Sequence, residues 1–163
     1  MEPRGRGRGG RQRREGSREP KEFDQQIIDI SRVTRVVAGG KRMRFRACVV
    51  IGDHKGRVGY GIAKGGDVSL AVNKAATAAK KRLITLPLVE GTIPHEMRLK
   101  FGAANILLKP APEGTGVIAG GPLRSLFAVA GVRNIVSKMI GSRNKINNVK
   151  AAYIALSTLR PRQ

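Results

Sequence analysis

The sequence has no tryptophan, one cysteine, two tyrosines and four phenylalanines. Any core it builds is therefore aliphatic, assembled from Val, Ile, Leu and Ala. The single cysteine rules out an internal disulfide. It sits in the apolar run Ala47-Cys48-Val49-Val50-Ile51, where a small buried thiol reads as core packing, in a chain suited to the cytoplasm. Acidic residues number only eleven, and those beyond residue 22 are scattered, with no pair placed for general acid–base work. The nucleophile pattern G-x-S-x-G and the phosphate loop G-x-x-x-x-G-K-[ST] are both missing. His54 and His95 stand far apart, and with one cysteine they make no zinc set. No run of about 18 apolar residues exists, and no helical pattern sets a Trp or Phe face against a basic one, which disfavours a membrane partner. Neither an enzyme nor a bound cofactor is expected.

What remains is positive charge. In 163 residues there are 32 Lys and Arg, giving a net charge of +21 and a pI near 11.6. Self-repulsion on that scale weakens a compact state unless a polyanion neutralises it, and nucleic acid is the common one. Residues 1–22 form an Arg/Gly tract with eight basic and four acidic residues. The tract has too little apolar content to order itself, lacks the apolar segment of a secretory signal, and is too acidic and Gly-rich for a transit peptide. It carries only +4 of the +21, so +17 belongs to the remainder. The folded part is basic in its own right.

From Gln26 to Val37 a β-branched bias predicts a strand that Gly39-Gly40 breaks. Met43 to Ile51 passes from basic/apolar alternation to wholly apolar, a strand exposed at one end and buried at the other. Gly52-Asp53-His54-Lys55-Gly56 is a turn, and Arg57 to Ile62 returns as a third strand. Asp67 is placed to cap a helix over Val68 to Leu83 with Val68, Val72, Ala75, Ala79 and Leu83 on one face. The first unit thus reads β-β-β-α, residues 23–86, joined by a connector at 87–94 that holds two prolines. A second unit, 95–163, has strands near Met97–Phe101 and Ala104–Lys109, a glycine-rich loop over Pro112–Gly121, a helix over Pro122–Ala130, a strand near Asn134–Ile140 and a helix from Ile146 to about Leu159. The class is α+β in two small domains.

Basic residues gather where glycine interrupts these elements. Gly39, Gly40, Lys41 and Arg42 form the first loop, flanked by Arg32, Arg35, Arg44 and Arg46. A surface that tracks a phosphate backbone has this composition, and so does a solvated hairpin. Lys55, Arg57 and Lys64 accompany the second turn, where Gly52, Gly56, Gly59 and Gly61 let backbone approach a ligand closely or serve the turn itself. Arg124 follows the glycine-rich loop. Arg143, Asn144 and Lys145 precede the last helix, where either Ser142 or Asn147 is available as cap and the helix start is a possible phosphate site. Gly114-Thr115-Gly116-Val117-Ile118-Ala119 matches G-x-G-x-x-A formally, but the acidic residue of a dinucleotide site is missing downstream. RNA contacts are therefore expected at Arg32, Arg35, Gly39, Gly40, Lys41, Arg42, Arg44, Arg46, Lys55, Arg57, Lys64, Arg124, Arg143, Asn144 and Lys145.

Four stretches coincide in order: Val33-Thr34-Arg35-Val36-Val37-Ala38-Gly39-Gly40; Gly52-Asp53-His54-Lys55-Gly56-Arg57-Val58-Gly59-Tyr60-Gly61; Pro112-Glu113-Gly114-Thr115-Gly116-Val117-Ile118-Ala119-Gly120-Gly121; and Ala130-Gly131-Val132 with Gly141-Ser142. From about residue 25 onward the chain closely resembles the bacterial ribosomal protein S-five family of the small subunit. The resemblance implies a first domain related to the double-stranded-RNA-binding fold without its leading helix, and a second, two-layer α/β domain with a left-handed crossover. It further implies contacts with small-subunit ribosomal RNA and with ribosomal proteins S-four and S-eight, a position beside the path by which messenger RNA enters, and a part in decoding accuracy. The loop at Val37 to Arg42 is implied to reach the RNA region where spectinomycin binds. The family often has lysine where this chain has Ala38, and proline where it has Lys145, so one loop loses a cation and the other gains one. A free RNA chaperone and a small-molecule kinase are the alternative classes.

Overall fold

The computed structural model describes residues 22–161. The expected disordered tail, apart from Glu22, lies outside the described residues. The chain forms β1 (Asp24–Val37), β2 (Gly40–Gly52), β3 (Arg57–Gly65), α1 (Val68–Lys80), β4 (Leu83–Thr85), β5 (Met97–Phe101), β6 (Ala104–Pro110), β7 (Val117–Ile118), α2 (Gly121–Ala130), β8 (Ile135–Gly141) and α3 (Lys145–Thr158). The first four strands make one antiparallel sheet in the order β1-β2-β3-β4; the second sheet runs β5-β6-β8-β7, with β7 parallel to β8.

Period-two alternation in β2 sends Ala47, Val49 and Ile51 toward α1, where they meet Ala71, Ala75 and Ala79 in one small core. The opposite face of the same sheet contributes Val50, Val58 and Tyr60 to a larger core with Leu123, Leu126, Phe127, Val149 and Leu156 of the second unit. The first sheet is therefore a shared wall between α1 and the second domain. Tyr60 and Tyr153 meet edge-on with ring centroids 4.7 Å apart, and the Tyr153 hydroxyl donates to the Arg82 carbonyl at 3.0 Å. The connector is packed rather than loose: Ile93 is 1% exposed, and the Gly91 carbonyl accepts from the amides of Arg133 and Asn134 at 2.8 and 3.1 Å.

Two features differ from the sequence expectation. The helix stops at Lys80 instead of continuing to Leu83, and Leu83–Thr85 pairs with Arg57–Gly59 as β4. The apolar period of the helix runs on to Leu83, but β3 would otherwise present an unpaired edge, and pairing it prevails. The glycines of β3 do not line a ligand surface. Gly59, Gly61 and Gly65 alternate on the face under α1: a Cβ on Gly59 would stand 2.6 Å from the Ala79 carbonyl oxygen, and one on Gly61 would collide with the Ala75 carbonyl. The backbone that approaches so closely is the helix of the protein itself.

Candidate nucleic-acid interface

None of residues 32–44 is buried, so the far half of the β1–β2 hairpin projects from the body as an arm. Its tip turns at Ala38-Gly39, where Gly40 adopts φ +137°, a conformation glycine accepts without strain. Register sorts the cations by face. Arg35 opposes Arg42, Val33 opposes Arg44, and Arg46 lies between Ser31 on one side and Lys64 on the other. Directly opposed residues share a face in an antiparallel pair, so Arg35, Arg42, Arg44, Arg46 and Lys64 all lie together. A surface groove of about 270 Å³ is lined by Val33, Thr34, Arg35, Arg42, Arg44 and Lys64, with no carboxylate in its wall. Arg46 is half-buried at its inner end and its Nε donates to Ser31 Oγ at 3.1 Å.

Two of the expected residues are elsewhere. Arg32 and Lys41 fall on the opposite face of the hairpin, by register with Phe45 and Val36, and the Arg32 guanidinium touches the Met43 sulfur. Lys64, in contrast, does not crowd the second turn. It stands at the far end of β3 and joins the hairpin groove. Thr34 also lines the groove, although its register opposite Met43 assigns it to the other face of the hairpin; period-two alternation therefore carries no signal for it.

The second turn is a plug. The amides of His54 and Gly56 donate to the carbonyls of Val129 and Ala130 at 3.0 and 2.9 Å, and His54 Nδ1 donates to the Ala128 carbonyl at 2.8 Å. The turn thereby occupies the C-terminal end of α2, whose last carbonyls have no intrahelical partner. Gly131, at φ +81°, ends the helix where a Cβ would collide with the His54 backbone. Asp53 organises the turn from inside, accepting from the amides of Lys55 and Arg57 at 2.9 and 3.0 Å and from Arg57 Nε at 2.6 Å. Desolvation pushes the Asp53 carboxyl up, but the hydrogen bonds from Arg57 and the two amides outweigh it and hold the group at about 2. Arg57 is further engaged, 3.8 Å from Glu22 and stacked over Phe23. Lys55 is exposed beside a cleft that also holds Glu90 and Glu113, a mixed electrostatic setting unlike the hairpin groove.

Around the second domain, Arg124 is exposed in the first turn of α2, and Arg143 is exposed before α3. The cap of α3 is Asn144, not Ser142 or Asn147: its Oδ1 accepts from the Ile146 amide at 3.1 Å, while Ser142 Oγ accepts from the Asn144 amide. Lys145 reaches across to β1 and pairs with Asp29 at 3.1 Å. The glycine-rich loop contains a short strand, β7, and is tied to β8 by Gly116 N–H to Asn134 Oδ1 at 3.0 Å. It therefore lacks the direct strand-to-helix turn of a dinucleotide site. Cys48 is buried, and burial followed by the neighbouring Asp29 charge pushes its thiol up to about 11, far from a reactive thiolate.

Two sequence models of known domains match the chain: "Ribosomal protein S5, N-terminal domain" over residues 23–87 and "Ribosomal protein S5, C-terminal domain" over residues 99–163. The chain belongs to the ribosomal protein S5 family. It is thus related to structural ribosomal proteins and not to enzymes. The small ribosomal subunit protein uS5c of Spinacia oleracea is 46% identical over 151 residues, covering 89% of this chain and 49% of that protein. The chain spans about half the length of that curated relative.

Three of the four stretches that carry the S5 resemblance meet in space. The turn at 52–56 docks on Val129 and Ala130, next to Gly131, and the glycine-rich loop is tied through Gly116 to Asn134 just beyond. In this S5 family chain those stretches build the joint between domains, while the stretch at 33–40 forms the projecting arm.

Proposed function

We propose that the chain is a constituent of the small ribosomal subunit, in the cytoplasm, that binds ribosomal RNA through the face of the β1–β2 arm carrying Arg35, Arg42, Arg44, Arg46 and Lys64. One observation carries this reading: four cations line a groove that holds no carboxylate, with Arg35 and Arg42 directly opposed. Like charges opposed across a strand pair cost stability, and a phosphate between them reverses the sign of that contribution. Gly39 and Gly40 let the tip approach a backbone closely. Arg32 and Lys41 serve a second strand or neighbouring phosphate from the other face. Arg124 and Arg143 extend the basic surface on the second domain, whereas Arg57, Asn144 and Lys145 act chiefly in holding the turn, the helix start and the joint.

The same reading includes contacts with ribosomal proteins S-four and S-eight, support of subunit assembly, a position near incoming messenger RNA, and an influence on decoding accuracy. The shared core between the domains supports a rigid scaffold role, because a fixed angle between two basic units sets the spacing of the RNA segments they hold.

Titrating a small-subunit ribosomal RNA fragment against salt tests the reading. Neutralising four phosphates gives a slope of log affinity against log salt of about −3. Replacing Arg35, Arg42, Arg44 and Lys64 together by Gln should flatten the slope by about that amount. An unchanged slope would refute the assignment of the arm.

A further inference from the structure

Met43 stands on the exposed arm, where small oxidants reach it. Its register opposite Thr34 puts it on the face of the hairpin away from Arg35 and Arg42, and it is 49% exposed. Met97 and Met139 are half-buried and pack against the larger core, and Met139 places its terminal methyl where a Cβ on Gly120 would stand. Arg32 opposes Phe45, one diagonal step from Met43 on the same face, a separation that a long side chain spans. The Arg32 guanidinium lies against the Met43 sulfur, and among the described residues no carboxylate pairs with it. A thioether is a weak acceptor, so this contact leaves the Arg32 charge open to a stronger one.

We infer that Met43 is a modification site for hydrogen peroxide and that its sulfoxide captures Arg32. A sulfur lone pair attacks one oxygen of the peroxide. The S–O bond forms as the O–O bond breaks, sulfur gives up two electrons to the peroxide, and the proton on the transferred oxygen passes to the departing hydroxide, which leaves as water. The product is a polar sulfoxide. Its oxygen arises beside a guanidinium that already faces the sulfur, and a charged donor on a strong acceptor makes a firmer bond than the same donor on a thioether. The site tolerates the change: a sulfoxide disrupts a packed core, but none of residues 32–44 is buried. An Arg32 so held is withdrawn from phosphate, and reductases that return the sulfoxide to the thioether release it. That consequence for RNA rests on the assignment of Arg32 to the second face of the arm; the modification and the capture do not.

The test titrates the full chain with hydrogen peroxide and maps it by mass spectrometry after cleavage with a protease that spares arginine, because Arg42 and Arg44 flank Met43. Met43 should be converted before Met97 and Met139. Phenylglyoxal, an arginine reagent, should then label Arg32 several-fold more slowly in the oxidised protein, and at the parent rate again after treatment with the two methionine sulfoxide reductases. In Met43→Leu, which conserves volume, peroxide should leave Arg32 labelling unchanged. On the RNA fragment, oxidation should reduce the salt slope of the parent by about 1 and leave that of Met43→Leu where it was. Met97 or Met139 reacting as fast as Met43, or Arg32 labelled at the parent rate after oxidation, would overturn the inference. Slowed labelling with an unchanged salt slope would uphold the capture and refute the assignment of Arg32 to RNA, so the two failures are distinguishable.

Discussion

Arg35 and Arg42 face each other across the β1–β2 pair, two guanidinium-bearing residues at one rung of an exposed hairpin. Opposed like charges at such a rung cost about 0.2–1 kcal/mol. Arg42→Thr should therefore stabilise the isolated protein, raising its melting temperature by about 1–3 °C. The same change should weaken RNA binding and reduce the salt slope by about 1. Calorimetry and filter binding on one preparation measure the two effects, and movement in opposite directions is the signature of a rung kept for its ligand.

The close seating of α1 on β3 predicts a contrast between glycines. Gly61→Ala drives a methyl into the Ala75 carbonyl, whereas a Cβ on Gly39 meets nothing within 4 Å. Overpacking of this kind costs about 1–3 kcal/mol. Urea titration should show Gly61→Ala lowering the midpoint with an unchanged m-value, and Gly39→Ala leaving both at the parent values.

These two cases also mark what sequence can and cannot tell. The alternation from Arg42 through Ala47 is local, so β2 and the sorting of its charges by face are readable. The same holds for β5, expected and found at Met97–Phe101. The fate of Lys64 is not readable locally: its place opposite Arg46 depends on the register of β2 against β3, which the turn and the docking of that turn on α2 determine. β4 and β7 are three and two residues long, too short for any period, and both exist because a neighbouring strand offers an unpaired edge. Glycine-rich segments looked like places where a ligand approaches. At Gly52, Gly59, Gly61 and Gly131 the approaching group is another part of the same chain, a long-range fact that no local pattern encodes.

Asp53 makes stability depend on pH in a defined window. Its carboxyl, held at about 2, lies below its ordinary value of 3.8. A group depressed in the folded state binds fewer protons there than when unfolded, so its contribution is fully present above about pH 4 and is lost as pH falls through about 2. Asp53→Asn should melt several degrees lower at pH 7. The gap between the two proteins should narrow as pH falls from 4 through 2, and a gap undiminished at pH 2 would mean that the carboxylate charge is not what holds the turn.

The cap of α3 is Asn144, where the sequence pattern pointed to Ser142 or Asn147. Asn144 Oδ1 accepts from the Ile146 amide at the helix start, while Asn147 lies inside the first turn. Loss of an N-cap side chain costs about 1 kcal/mol, whereas Asn to Ala inside a helix is favourable by propensity. Asn144→Ala should therefore lower the urea midpoint and Asn147→Ala should hold or raise it. The position of Asn144 gives the comparison a second use: next to Lys145, which pairs with Asp29 on β1, it fixes where the last helix meets the first sheet. A frayed start in Asn144→Ala should speed amide hydrogen exchange at Ile146 and Asn147 and leave exchange at the β1–β2 tip unchanged.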